Sequence, residues 1–310
     1  MEGAFVGLPL ISICVPLFNK AATVETALRT VMACREFPLE IAVFDNGSTD
    51  GSGEIVARLA REDDRIRLVR LDHTIMIQES WRMALLHGRG ELLKLQSADD
   101  ELDPQFLPAM LEPLQRSPGL GYTMCIEKVD ERRLPAPIPK IHAMFADVNV
   151  SCRRIAAAKT VAERARLLVT QATLENFLGN IYKVVMRREC LPLARWKLVT
   201  RAYPMPTSYP DWDFLVRLML HHEGEFVERE LSRYIITPES PVARLAGDTT
   251  LRLADAFQRV LQVLTVLGDP QLGALRGACT AEELQMLANQ VGVRIENLVA
   301  LAMSIPPNRP

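Results

Sequence analysis

The sequence predicts an α/β fold: a mainly parallel sheet flanked by helices, with a helical extension at the C-terminal end. Three observations carry that expectation. Short apolar runs rich in β-branched residues alternate with helix-spaced segments through roughly the first hundred residues. Polar turn-forming segments follow the ends of three of those runs. Beyond residue 245 only helical patterns remain.

In chain order, Leu10–Val15 is a buried strand stopped by Pro16, and Thr23–Cys34 is a helix with Val24, Ala27, Leu28, Val31 and Met32 on one face. Glu40–Phe44 is the second strand and Gly53–Arg61 the second helix. Ile66–Leu71 is the third strand, Ser80–Leu86 the third helix and Glu91–Leu95 the fourth strand. That alternation means β-α-β units and a parallel sheet, whose ligands bind at the carboxyl ends of the strands. Pro16–Asn19, Asp45–Gly51 and Ser97–Asp100 all follow strand ends and are expected to come together.

Later segments are less regular. Leu134–Pro139 holds three prolines, so residues 130–150 are expected to be a long loop. Ala156–Leu178 is expected as a helix, Asn180–Met186 as a strand and Asp211–His221 as a helix. Leu251–Leu267 and Ala281–Met303 are amphipathic helices, the last opened by a capping box of Thr280 and Glu283.

Composition narrows the function classes. The 310 residues carry 36 Lys and Arg against 38 Asp and Glu, a net charge of −2 without the basic excess of a nucleic-acid binder. A 48% hydrophobic content supplies a core and excludes disorder. No two of the six cysteines are spaced as CxxC, so they read as buried small apolar groups in a reducing compartment. The apolar run Leu8–Phe18 is interrupted by Pro9, Ser12 and Pro16 and falls short of the ~18 residues a membrane span needs. The expectation is a soluble, cytoplasmic protein with no membrane span and no nucleic-acid partner.

Three segments bear chemistry, each with a plainer alternative. D-N-G-S-T-D-G at 45–51 is a turn, or a display of polar groups beside a helix N-terminus suited to an anionic or nucleotide ligand. Ser97-Ala98-Asp99-Asp100 is a solvated helix start, or a site for a divalent cation that favours carboxylate and phosphate oxygens. Asp211-Trp212-Asp213 is favourable acid placement at a helix start, or holds a general base. Residues two apart do not share a helix face, so at most one of the two acids faces a reacting atom.

Taken together, V-P-L-F-N-K (15–20), F-D-N-G-S-T-D-G-S (44–52), G-E-L-L-K-L-Q-S-A-D-D-E-L-D-P (90–104) and P-D-W-D-F-L-V-R-L (210–218) resemble the family 2 glycosyltransferases of the GT-A fold. The resemblance implies an inverting, non-processive transfer of sugar from a nucleoside diphosphate to an acceptor hydroxyl. It implies a glycosyltransferase domain over residues 1–245, with a nucleotide-binding half (1–110) and an acceptor half (111–245), followed by the extension at 246–310. Pro16 and Phe18 match positions bordering base and ribose, with Asn19 beside them. Asp45 and Asn46 match the acidic pair that contacts the base. Ser97, Ala98 and Asp99 match the DxD-type motif, whose last Asp binds the metal, here expected as Mn²⁺ or Mg²⁺ with Asp100 alongside. Asp211 matches the catalytic base, and Trp212 and Asp213 are expected on the acceptor side.

The implied partners are a UDP- or dTDP-sugar and a hydroxyl on a glycan, lipid-linked intermediate or natural product, with a homodimer expected from the last helices. Four departures from the family pattern stand out: Ser97 and Asn46 replace Asp, Pro210 replaces Glu, and Thr237 stands where a His is common. Those at Ser97, Pro210 and Thr237 motivate the alternative of a catalytically degenerate nucleotide-binding scaffold.

Overall fold

The first strand, β1 (Ile11–Leu17), is buried along almost its whole length. It pairs in parallel with β2 (Leu39–Asp45) on one side and β4 (Leu92–Leu95) on the other, and β2 pairs in parallel with β3 (Ile66–Arg70). The connections are α1 (Val24–Met32), α2 (Ser52–Glu62) and α3 (Ile77–His87). The chain therefore winds outward from β1 to β3 and returns to the other side of β1, so the strand order reverses between β1 and β4. In open α/β sheets this reversal point is where ligands are held.

The sheet continues with β6 (Val184–Arg187), β5 (Tyr122–Asp130) and β7 (Gly224–Ile235), in the order β3-β2-β1-β4-β6-β5-β7. β6 runs antiparallel to both β4 and β5. The helix α4 (Phe106–Arg116) contributes Phe106, Leu107, Met110, Leu111 and Leu114 to the core. The five apolar residues assigned to one face of α1 are the ones it buries. Of these, Val24, Leu28, Val31 and Met32 each contribute roughly 1.5–3 kcal/mol when removed from water, which is why the 3.6-residue period predicted this face.

The structure is a computed structural model and describes residues 9–132, 134–138, 141–170, 178–191, 210–238, 240, 243–244 and 273–304. They fall into two units. The first holds the sheet and α1–α4. The second is helical: α5 (Ile141–Ala157), α6 (Val161–Thr170), α7 (Pro210–His221), the five-residue α8 (Gly273–Gly277) and α9 (Ala281–Ser304). α6 packs against each of the others. The buried Arg164 of α6 donates from Nε to the Leu220 carbonyl at 3.1 Å, and Arg166 pairs with Glu283 at 2.7 Å.

Three expectations need correction. Residues 130–150 are not one long loop, because β5 runs to Asp130 and α5 begins at Ile141. The prolines all precede Ile141, and Ile141, Phe145, Val148, Cys152 and Ile155 follow at helical spacing and are buried. The helix expected from Ala156 is broken after Ala157, and α6 opens on its own capping box. There Thr160 Oγ1 accepts the Glu163 N–H at 3.1 Å while Glu163 Oε2 accepts the Thr160 N–H at 3.0 Å. The strand expected from Asn180 begins instead with a 3₁₀ turn over Ile181–Lys183. The expected helix Leu251–Leu267 lies outside the described residues. Of the six cysteines, all free thiols, five are buried, and burial pushes Cys14 and Cys125 up to about 12.

Candidate functional site

The ends of β1 and β2 are adjacent, with Pro16 opposite Phe44 and Leu17 opposite Asp45. Their loops are stitched together by polar bonds. Asn19 takes a positive φ of 50°, a conformation Asn tolerates better than most residues. That turn lets its N–H donate to Ser48 Oγ at 3.0 Å while its Oδ1 accepts the Thr49 N–H at 2.9 Å. The Lys20 N–H donates to Ser52 Oγ at 2.7 Å and the Ala21 N–H to Asp50 Oδ2 at 2.9 Å. Phe18 remains 45% exposed, an apolar ring left on the rim of these loops.

Asp45 is fully buried at the end of β2. Its Oδ1 accepts the Ser48 N–H at 2.9 Å, and its Oδ2 lies 3.2 Å from Arg70 Nε. A Cβ on Gly53 would sit 2.6 Å from that same Oδ2, so a larger residue there would have to displace the buried carboxylate. Asn46 is buried beside it, and its amide pairs with the backbone of Ile75 in both directions. Nδ2 donates to the Ile75 carbonyl and Oδ1 accepts the Ile75 N–H, each at 2.9 Å. An Asp here would put a carboxylate against that carbonyl, which accounts for the departure at this position.

At the end of β4, Ser97 Oγ donates to Asp99 Oδ1 and the Lys20 ammonium pairs with Asp99 Oδ2. Thr23 Oγ1 donates to the Ala98 carbonyl at 3.1 Å, a second tie between the β1 and β4 loops. Asp99 is partly exposed. Asp100 behaves differently: it is buried and its Oδ1 accepts the Ile235 N–H at 3.0 Å. Burial, reinforced by the neighbouring Asp99 charge, holds its carboxyl well above the usual carboxylate range. Below this turn lies Lys94, fully buried, donating to Gln96 Oε1 and to the Tyr182 carbonyl at 2.7 Å each. Burial pushes its ammonium down to about 8. Gln96 Nε2 in turn donates to the Asp100 carbonyl at 2.8 Å, fixing the turn from beneath.

A hydroxyl and a carboxylate are hard oxygen donors of the kind Mg²⁺ and Mn²⁺ accept, with phosphate oxygens completing the shell. Asp99 and Ser97 fit such an ion, whereas Asp100 is turned into the sheet. Among the described residues no group of three or more His, Cys, Asp or Glu is arranged to hold a metal unaided.

In the helical unit, Asp211, Trp212 and Asp213 occupy the first turn of α7 and are buried. Asp211 Oδ1 accepts the Trp212 N–H at 2.9 Å. Asp213 forms a buried ion pair with Arg217, one turn on, at 3.0 Å. The two acids thus have different surroundings, as their spacing requires. Sequence reasoning missed Lys20, Arg70 and Ser52. Arg70 ends β3 as a charge at a strand terminus, the signal already used for the other loops, and it also bonds the Ser48 carbonyl at 2.9 Å and Glu54 at 2.8 Å.

Residues 12–159 match the family described as glycosyl transferase family 2. That segment is just under half of the chain and includes the first three motifs that carry the resemblance. The chain is 29% identical over 261 residues to the uncharacterized protein MT1568 of Mycobacterium tuberculosis, covering 83% of the chain and 76% of that relative. It is 34% identical over 230 residues to the uncharacterized glycosyltransferase EpsJ of Bacillus subtilis, covering 72% of the chain and 62% of EpsJ. The chain thus spans about three quarters of one relative and under two thirds of the other. Its fold matches a mannosyltransferase from Pyrobaculum calidifontis, solved with GDP-Man and Mn²⁺, at a TM-score of 0.55 and 16% identity. That match covers 96% of this chain and 87% of the other. The fold is the GT-A type expected from the motifs. No helix among the described residues is long and apolar enough to cross a membrane.

Proposed function

We propose that this chain is a family 2 glycosyltransferase that moves a sugar from a nucleoside diphosphate to an acceptor hydroxyl, inverting the anomeric carbon. One observation carries the reading. Asn19, Asp45, Asn46, Ser97 and Asp99 gather at the carboxyl ends of three adjacent parallel strands, beside the point where strand order reverses. The donor is a UDP- or dTDP-sugar, and the acceptor a glycan, lipid-linked intermediate or natural product. The Mn²⁺ and GDP-Man bound by the Pyrobaculum calidifontis mannosyltransferase support a cation-assisted diphosphate site in the same fold.

The chain's own groups divide the work. Pro16 and Phe18 border the base and ribose, and Asp45 and Asn46 shape the base-facing loop. A divalent ion held by Asp99 would supply charge neutralisation for the departing diphosphate. Asp211 accepts the acceptor's proton as its oxygen pair forms the new bond to the anomeric carbon. The bond from that carbon to the diphosphate oxygen breaks, and its electron pair leaves with the diphosphate. A single displacement inverts the centre, so no enzyme nucleophile is required.

The Asp211→Asn variant tests the assignment. Transfer should fall at least about 100-fold, the usual contribution of a general base, while binding of the nucleoside diphosphate persists. Turnover close to that of the unaltered enzyme contradicts the role of Asp211. Nucleotide binding without transfer or donor hydrolysis in the unaltered enzyme favours the scaffold alternative.

A further inference from the structure

Lys20 stands at the same strand ends but belongs to none of the roles above. Its ammonium lies on Asp99 Oδ2, while Ser97 holds Oδ1. The pair is accessible, with 42% of the Lys20 side chain and 21% of the Asp99 side chain exposed. The loop that carries Lys20 does not depend on this pair for its position. It is already held by the bonds from Asn19, Lys20 and Ala21 to Ser48, Ser52 and Asp50, and by the Thr23 bond to the Ala98 carbonyl. Exposed ion pairs add little to stability and exchange readily. Arg70, by contrast, is shared among Asp45, Glu54 and the Ser48 carbonyl.

A lysine suits exchange. Its charge is compact, sits on a flexible four-carbon stem and offers three donors. The point where strand order reverses lies between β1 and β4, the two strands whose loops Lys20 and Asp99 join. An anion bound there meets a cation already in place. A divalent ion arriving with that anion competes with the ammonium for the same carboxylate oxygen.

We infer that Lys20 is a further donor-site residue, which neutralises Asp99 in the empty protein and transfers its ammonium to the diphosphate when the nucleotide binds. This rests on the donor-site reading above and deepens it. Two consequences follow. The empty protein resists a divalent ion, because Asp99 is already paired. The nucleotide keeps measurable affinity without metal, because Lys20 supplies one charge-assisted hydrogen bond.

The test is calorimetric titration of the full chain with UDP, dTDP and GDP in EDTA and in manganese, together with manganese alone. Unaltered protein, Lys20→Met, Lys20→Arg and Asp99→Asn are compared. Lys20→Met should lose about tenfold in EDTA, the worth of one such bond, and should bind manganese alone more tightly than unaltered protein. Lys20→Arg should retain the EDTA affinity, and Asp99→Asn should lose the manganese effect. A Lys20→Met protein that binds nucleotide like the unaltered chain in both media overturns the inference and leaves the donor site standing. No nucleotide binding by the unaltered chain in either medium overturns both. The unaltered chain is informative whatever the variants do: equal manganese affinity with and without nucleotide contradicts the exchange.

Discussion

Asn46 shows how one residue carries both a resemblance and its exception. The family pattern places an acid at this position, and the structure gives the amide one donated and one accepted bond, a pair that an ionised carboxylate cannot make. Asn46→Asp replaces a donor facing the Ile75 carbonyl with a second acceptor. Leaving a buried group unpaired costs about 1–3 kcal/mol, so the variant should lose that much in urea unfolding. An unchanged midpoint would mean the Asn46–Ile75 pairing contributes nothing. At this scale the sequence was legible where residue type alone decides: Asp45, Asn46 and Asp99 are polar groups at strand ends, and all three are found there. The pairing of Lys20 with Asp99 was not legible, because the partners are 79 residues apart and meet only once β1 and β4 are neighbours. The burial of Asp100 escaped notice for a similar reason, since its partner is the backbone of Ile235 on the distant β7.

Among the elements, periodicity was most reliable where one face is buried in a single core. The first four strands and three helices lie where apolar spacing placed them, within a few residues at their ends. β7 was missed because E-F-V-E-R-E-L-S-R-Y is too charged to read as a buried run. It lies at one edge of the sheet, where exposed charge is tolerated and blunts further strand pairing. β6 was mistaken in extent because it spans only four residues between two 3₁₀ turns. The loop expected over 130–150 gave three prolines too much reach, since a proline restricts only its own turn and the residue before it. The break between α5 and α6 was written in the sequence as T-V-A-E, the same capping pattern recognised at Thr280. Thr160→Ala should cost about 1 kcal/mol through loss of that cap, and hydrogen exchange should show faster opening of the first turn of α6. An exchange pattern identical to that of the unaltered protein would contradict this role for Thr160.

Across the whole molecule, the buried Lys94 ties stability to pH. Its ammonium is pushed down to about 8 from the ordinary 10.5, mainly because burial removes it from water, a fall that nearby acidic groups only partly offset. Between those values the folded chain binds fewer protons at this site than the unfolded chain, so stability rises with pH across the window, and below it the full cost is present. The thiols pushed up to about 12 act in the opposite direction, but only above their ordinary 9.0. From about pH 7 to about pH 9 the unaltered protein should therefore gain about 1 kcal/mol relative to Lys94→Met. Parallel stability curves for the two proteins would contradict the burial argument.

The central claim is that the strand ends of the sheet form a nucleoside diphosphate site, and a thermal-shift panel of UDP, dTDP, GDP and NAD, each with Mn²⁺, Mg²⁺ or EDTA, tests it most directly. A ligand at about 100 times its Kd adds about 2.7 kcal/mol to stability, which amounts to several degrees for a chain of this size. The account predicts a shift with one of the nucleoside diphosphates, larger with metal than with EDTA, and a loss of the metal increment in Asp99→Ala. No shift with any of the diphosphates in any medium would contradict it.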